Sequence, residues 1–239
     1  MNTRLWVIFG IIAAGVVTLA ILFGTGVIGD NKSSNNIAIE NFTWNKIVDD
    51  QSIPEDFTGD REAIKDHVEG KVDSDVVLIA WDNFQCSACY TLSPTMRELQ
   101  KTYGDKVAFV HRYLYLTGHP NGLASQVAAE AAAKQGKYRE MADLLFINSY
   151  AGDMWKDATT DKREDVFASY ADLIGIDVDM WRNDYKNYET NGIKTRVNFQ
   201  NDLGIKNGVN ASPYILVNGE KVTGTKDGIT EALNKALGL

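Results

Sequence analysis

Hydrophobic and polar positions change period several times along this chain. Residues 5–28 hold no charge, and at about 1.5 Å per residue a helix of that length covers the roughly 30 Å core of a bilayer. A transmembrane anchor is therefore predicted over 1–29. The alternative is a secretory signal cut near Gly24-Thr25-Gly26, but the apolar stretch exceeds the roughly 15 residues usual for a signal core. No cysteine follows it, which excludes lipid attachment there. Arg4 precedes the segment and Asp30 follows it, so the positive-inside rule sends the remainder of the chain outside the cell membrane. Residues 30–60 are expected to hold a polar Asn- and Ser-rich tether and a first strand, the latter from alternation over 37–46.

Beyond that point the pattern becomes stronger. Residues 60–70 suggest a short polar helix ending at Gly70. The continuous apolar run 76–81 predicts a strand buried on both faces. Helical spacing of Leu92, Met96 and Leu99 predicts a helix over 87–103, bent by Pro94 and stopped at Gly104. A second buried strand follows over 107–116. Strand, helix and strand in this order form a right-handed crossover, which places the start of the helix at the carboxyl end of the sheet.

The next 80 or so residues show helical pattern instead of another strand, with segments over 121–136, 138–148, 162–174 and 179–188. This is read as a helical insertion over about 118–203, with Ala128, Ala129, Ala131, Ala132 and Ala133 serving close helix packing. Strand character returns at 214–217, turns at Asn218-Gly219 and resumes at 221–223. An amphipathic helix over 229–237 closes an α/β domain spanning 61–239.

Composition narrows the function classes a little. The chain has 24 Lys+Arg against 32 Asp+Glu, a net charge of -8. Removing residues 1–30 takes away Arg4 and Asp30, leaving 23 against 31 and the same balance. An acidic exported part disfavours nucleic acid and anionic lipid surfaces as partners.

The chemistry rests on the two cysteines, Cys86 and Cys89, separated by Ser87-Ala88 at the predicted helix start. Unpaired N–H groups there favour a thiolate, which makes Cys86 a nucleophile and Cys89 its resolver. A structural disulfide is the first alternative, but a bridge across two residues closes almost no loop. Zinc is the second; beyond the two thiols only His67, His111 and His119 are at hand, with no second Cys-x-x-Cys and no His-x3-5-His. No metal site is expected. His67 is expected to be solvated, His111 to be a satisfied strand histidine, and His119 to cap the next helix or line a groove.

Several stretches in order carry a resemblance. Asp82-Asn83-Phe84-Gln85-Cys86-Ser87-Ala88-Cys89, His119-Pro120-Asn121, Gln135-Gly136-Lys137-Tyr138, Leu173-Ile174-Gly175-Ile176-Asp177 and Ser212-Pro213-Tyr214-Ile215-Leu216-Val217-Asn218-Gly219 resemble the DsbA-like thiol-disulfide oxidoreductases. These have a thioredoxin superfold with a helical insertion. The likeness covers about residues 70–239. It implies a cis Ser212-Pro213 bond facing the cysteines, and a substrate site including Ser212, Pro213, Phe84, Ser87 and Ala88. It also implies no cofactor beyond a redox-active Cys86-Cys89 disulfide.

Two departures from the family pattern stand out. Many relatives carry an acid six residues before the first cysteine, where this chain has Ala80; Asp82, on the same side of the strand, is the candidate substitute for proton transfer. The dipeptide Ser87-Ala88 lacks a histidine, so Cys86 is expected to have a lowered pKa short of the extreme near 3.5, and the disulfide a potential between about -270 and -120 mV.

Taken with the predicted anchor, which sets the compartment, the resemblance points to a membrane-anchored, extracytoplasmic oxidase of cysteines in exported proteins. Its re-oxidant would be a quinone-linked membrane protein of the DsbB or vitamin K epoxide reductase-like type. A reductase or isomerase, and a tethered peptide-binding or chaperone module with little turnover, are the alternatives.

Overall fold

The computed structural model describes residues 37–151 and 155–239. The predicted anchor and the first part of the tether lie outside these residues. Among the described residues no helix is long and apolar enough to cross a membrane.

Five strands form one sheet in the order β1-β3-β2-β4-β5, made of β1 (Val68–Gly70), β2 (Val77–Asp82), β3 (Ala108–Tyr113), β4 (Tyr214–Val217) and β5 (Glu220–Val222). β2 and β3 run parallel, with Ala80 opposite His111, while β4 runs antiparallel to β2, with Trp81 opposite Tyr214. The parallel pair is joined by α2 (Ser87–Tyr103), as the crossover reading requires. Alternate residues of the central strands face opposite layers. Leu78, Ala80, Phe109, Ile215 and Val217 pack against Leu92 and Leu99 of α2 and against α8 (Lys226–Leu237). Ile79, Trp81, Val110 and Leu216 face the other way.

The insertion between β3 and β4 holds α3 (Gly122–Ala133), α4 (Tyr138–Tyr150), α5 (Thr160–Leu173), α6 (Val178–Lys186) and α7 (Ile193–Lys206). Ala128, Ala129, Ala131 and Ala132 are fully buried in its core, beside Met141, Leu145, Trp155, Phe167 and Trp181. Small side chains let α3 approach its neighbours closely, and Trp181 Nε1 donates to the Ala128 carbonyl at 3.0 Å.

Three expectations are corrected. First, residues 37–46 form a 3-10 turn at Ile39–Asn41 and further turns, with no strand. Their alternation is spent on burial of Ile39 and Phe42 against Phe199 and Leu203. The carbonyls of Trp44 and Lys46 accept from the Arg112 guanidinium instead of from a strand partner. Second, the helix expected over 60–70 stops after one turn, α1 (Arg61–Ile64), capped by Asp60. The chain extends at Lys65 because Asp66 is claimed elsewhere: its carboxylate takes Arg112 Nε at 2.9 Å, Arg112 Nη2 at 2.6 Å and the Val48 N–H at 2.7 Å. β1 follows directly. Third, the helical segments predicted for the insertion end at 188, whereas α7 adds a further helix over Ile193–Lys206, where the sequence has no single apolar stripe. Its Ile193 and Val197 join the helical core while Phe199 and Leu203 join the core under residues 37–64, so its buried positions face two sides.

Pro94 sits inside α2, which continues through it as one helix. Proline supplies no N–H for the Tyr90 carbonyl four residues earlier. The Ser93 hydroxyl donates to that carbonyl at 2.9 Å in its place.

Candidate active site

Cys86 lies just past the carboxyl end of β2 as the N-cap of α2, with extended backbone and its carbonyl accepting from Tyr90 N–H at 2.9 Å. Both cysteines are buried free thiols. The segment before them is tightly held. Asn83 is fully buried; its side chain donates to the Leu114 carbonyl at 3.0 Å and accepts from Gln85 N–H at 2.9 Å, while its carbonyl accepts from Cys86 N–H at 2.9 Å. Gln85 reaches into the insertion, donating to the Lys156 carbonyl at 2.8 Å and accepting from Asn121 N–H at 2.8 Å. The Tyr150 hydroxyl donates to the Gln85 carbonyl at 2.7 Å. Sheet and insertion thus fix the loop together. α3 approaches so closely that a Cβ on Gly122 would lie 2.6 Å from Asn83 Nδ2.

The Ser212–Pro213 bond is cis. Extending the β2/β4 register by one residue puts Pro213 beside Asp82. The Cys86 thiol donates to the Ser212 carbonyl at 3.6 Å. Ser87 and Ala88 are exposed, and Ser212 and Pro213 half-buried. Phe84 is not presented to a substrate: it is fully buried, with its ring 4.7 Å from Phe146 and 5.3 Å from His111. An apolar side chain two residues past the end of β2 reads alike as groove or core; the insertion decides.

The two thiols differ sharply. The Cys86 pKa is lowered to about 5, first by the hydrogen bond with the Cys89 side chain; burial opposes this, and the Ser212 side chain and the N–H groups of Cys89 and Ala88 add to it. The helix terminus therefore contributes, but behind the neighbouring thiol. The Cys89 pKa is pushed far up, by burial first, then by its bond to Cys86 and by the negative charge of Asp82. At neutral pH Cys86 is the thiolate and Cys89 holds the proton.

Asp82 is not a solvated strand end. Its carboxylate pairs with His111 Nε2, and His111 Nδ1 pairs with the Tyr138 hydroxyl. His111 is a satisfied strand histidine, as read. His67 is not solvated: its Nε2 lies 2.9 Å from Glu130 Oε2, and its ring stacks on Tyr138 at 4.5 Å. Nor does the His119 side chain cap a helix; its backbone carbonyl accepts from Gly122 N–H at 2.9 Å, while its Nδ1 is buried without a partner. Sequence reasoning passed over Asn83, Gln85, Tyr138 and Tyr150 as parts of the site. The signal that could have found Asn83 and Gln85 is their place in the family-like stretch around Cys86, and for Tyr138 its place in the stretch 135–138. Among the described residues, no group of three side chains is placed to hold a metal ion.

Comparison with known proteins gives a consistent fold. A family model described as Thioredoxin matches residues 62–236. A thioredoxin-like oxidoreductase from Silicibacter pomeroyi superposes with a TM-score of 0.60 at 20% identity, over 76% of this chain and 99% of that one. BdbD from Bacillus subtilis superposes with a TM-score of 0.57 at 22% identity, over 72% and 92%. The thiol-disulfide exchange protein α-DsbA2 from Wolbachia pipientis gives 0.59 at 17%, over 70% and 85%. At these identities the likeness is one of fold. In sequence, the Na(+)/H(+) antiporter NhaA 1 of Mycolicibacterium vanbaalenii is 30% identical over 168 residues, 70% of this chain. The chain spans about 25% of that relative's length.

Proposed function

We propose, from the premise that the chain belongs to the thioredoxin family and to its DsbA-like branch of thiol-disulfide oxidoreductases, that it oxidises cysteines of exported proteins. The observation that carries the reading is the divided pair of thiols, Cys86 low at about 5 and Cys89 raised. A substrate thiolate attacks Cys86 of the disulfide, the Cys86–Cys89 bond breaks, and a mixed disulfide forms on Cys86. A second substrate thiolate then releases Cys86 as the better leaving group. Stabilising the Cys86 thiolate stabilises the dithiol form, which makes the disulfide the more oxidising. The exposed Ser87 and Ala88 and the half-buried Ser212 and cis Pro213 are the surface for an extended substrate segment.

The apolar segment 5–28 supports attachment to the cell membrane with the catalytic domain outside. A quinone-linked membrane protein of the DsbB or vitamin K epoxide reductase-like type would re-oxidise the dithiol. The antiporter name belongs to a protein about four times the matched length, and the thiol chemistry here requires nothing of it.

The decisive test combines a dithiol peptide assay with trapping of the cysteines in intact cells. Oxidation by the wild type, its loss in both Cys86→Ala and Cys89→Ala, and a resting disulfide in cells support an oxidase. Resting thiols would favour a reductase or isomerase. Retained suppression of aggregation by Cys86→Ala without turnover would favour the peptide-binding module.

A further inference from the structure

Cys89 borders a cavity of about 60 Å³ whose wall is mostly apolar, with Asp82 and His111 among its polar groups and Ala80 and Pro213 beside them. Its volume suits a few water molecules, since each needs on the order of 10–15 Å³ of such space and two or more polar partners. Ala80 is on its wall, where a longer side chain would take up part of this space. No hydrogen bond joins Asp82 to Cys89 among the described contacts, so a proton passing between them needs a bridge.

Asp82 in turn is held by His111 Nε2, and His111 by the Tyr138 hydroxyl, which also receives Gln126 Nε2 at 3.4 Å. Neighbouring charges come from every side. Glu69 of β1 is paired with Arg139 of α4 at 2.5 Å, Glu130 of α3 with His67, and Arg97 of α2 with Asp143 of α4. Burial disfavours the imidazolium, but Asp82 first, with Glu69 and Glu130, outweighs it and raises the His111 pKa.

We propose that His111 is a positioning residue that makes Asp82 and itself one proton-exchanging unit, serving Cys89 through the water of this cavity. The proposal rests on the exchange chemistry above. When a substrate thiolate attacks Cys86, the electron pair of the Cys86–Cys89 bond goes to Cys89. The Cys89 thiolate takes a proton from cavity water, Asp82 replenishes that water, and His111 passes its Nε2 proton to Asp82. The unit ends one proton poorer, as a carboxylate beside a neutral imidazole. In the reverse step Cys89 returns its proton to the unit and attacks Cys86 of the mixed disulfide, expelling the substrate as a thiolate. Electrons move only between sulfurs, and the proton is conserved.

The direct test is titration of the His111 ring by NMR in wild-type protein, in the disulfide and dithiol forms. Linkage requires the His111 pKa to differ between the two forms; identical titrations overturn the proposal. The second arm follows the resolving step by stopped flow, from a preformed mixed disulfide of Cys86 with a small thiol. His111→Gln should slow that step roughly 10²-fold near neutrality and remove its pH inflection, while alkylation of Cys86 stays as fast as in wild type. His111→Lys should recover rate without the inflection. An unchanged rate and profile in His111→Gln sinks the idea. Neither arm uses a protein substrate, so failure of the oxidase reading would show in the dithiol peptide assay and leave these results to stand or fall alone.

Discussion

At the scale of single residues, Cys86 and Cys89 have one side chain and opposite acidities. Cys86 sits at the helix start with donors around it, and Cys89 is one turn deeper, where burial dominates. Alkylation of Cys86 should therefore rise with pH around a midpoint near 5 and be level above about pH 7, far below the ordinary thiol value of about 8.5. A midpoint near 8.5 would remove the basis of the proposed chemistry. Stability follows with a definite sign. A group whose pKa is lowered by folding stabilises fully above its unfolded value and loses that contribution as pH falls through its folded value. The reduced wild type should thus gain stability over Cys86→Ser as pH rises from about 5 to about 8.5, measured by thermal unfolding of both at each pH. The value for Cys86 also lies between about 3.5 for DsbA and about 7 for thioredoxin, so the potential should fall between about -120 and -270 mV. Equilibration with glutathione buffers checks it, and a value outside that interval would mean that something other than the Cys86 thiolate sets the balance.

At the scale of elements, the site depends on how closely α3 meets the loop after β2. Gly122→Ala would put a Cβ 2.6 Å from Asn83 Nδ2 and 2.9 Å from its Oδ1. Asn83 would have to give up the Leu114 carbonyl or the Gln85 N–H, moving the residues that lead into Cys86. Such overpacking costs about 1–3 kcal/mol, and we expect the exchange rate to fall with it, as urea unfolding and the dithiol peptide assay would show. α2 offers a milder case. Ser93→Ala would leave the Tyr90 carbonyl without the donor that compensates for Pro94, at about 0.5–1.5 kcal/mol. No loss in urea midpoint would mean that water already satisfies that carbonyl.

For the whole molecule, the joint between residues 37–66 and the sheet is the buried Arg112–Asp66 pair, whose side chains are both 0% exposed. Arg112 lies 4.8 Å above the Trp81 ring and spends its remaining donors on Trp44 and Lys46. Asp66→Ala would strand a buried cation and should cost about 3–5 kcal/mol in urea unfolding; a loss under 1 kcal/mol would show that water reaches the guanidinium. How much of this was legible depended on the range of the interaction. The apolar run before Cys86, the helix over 87–103 and the return to strand at Tyr214 were readable, because burial on one or both faces imposes a local period on the sequence. So was the redox pair, since two cysteines three positions apart at a helix start create their chemistry within one turn. The sequence alone therefore determined the core elements, their order and the sulfur chemistry. What only the tertiary structure decided is which ionisable groups surround that chemistry. Asp82 meets His111 across 29 residues, His111 meets Tyr138 across 27, and His67 meets Glu130 across 63. Phe84 and α7 were fixed in the same way, by what packs on them from other parts of the chain. Such partners leave no period in the sequence, because charge pairing and two-sided burial depend on which surfaces meet, and only the folded chain sets that.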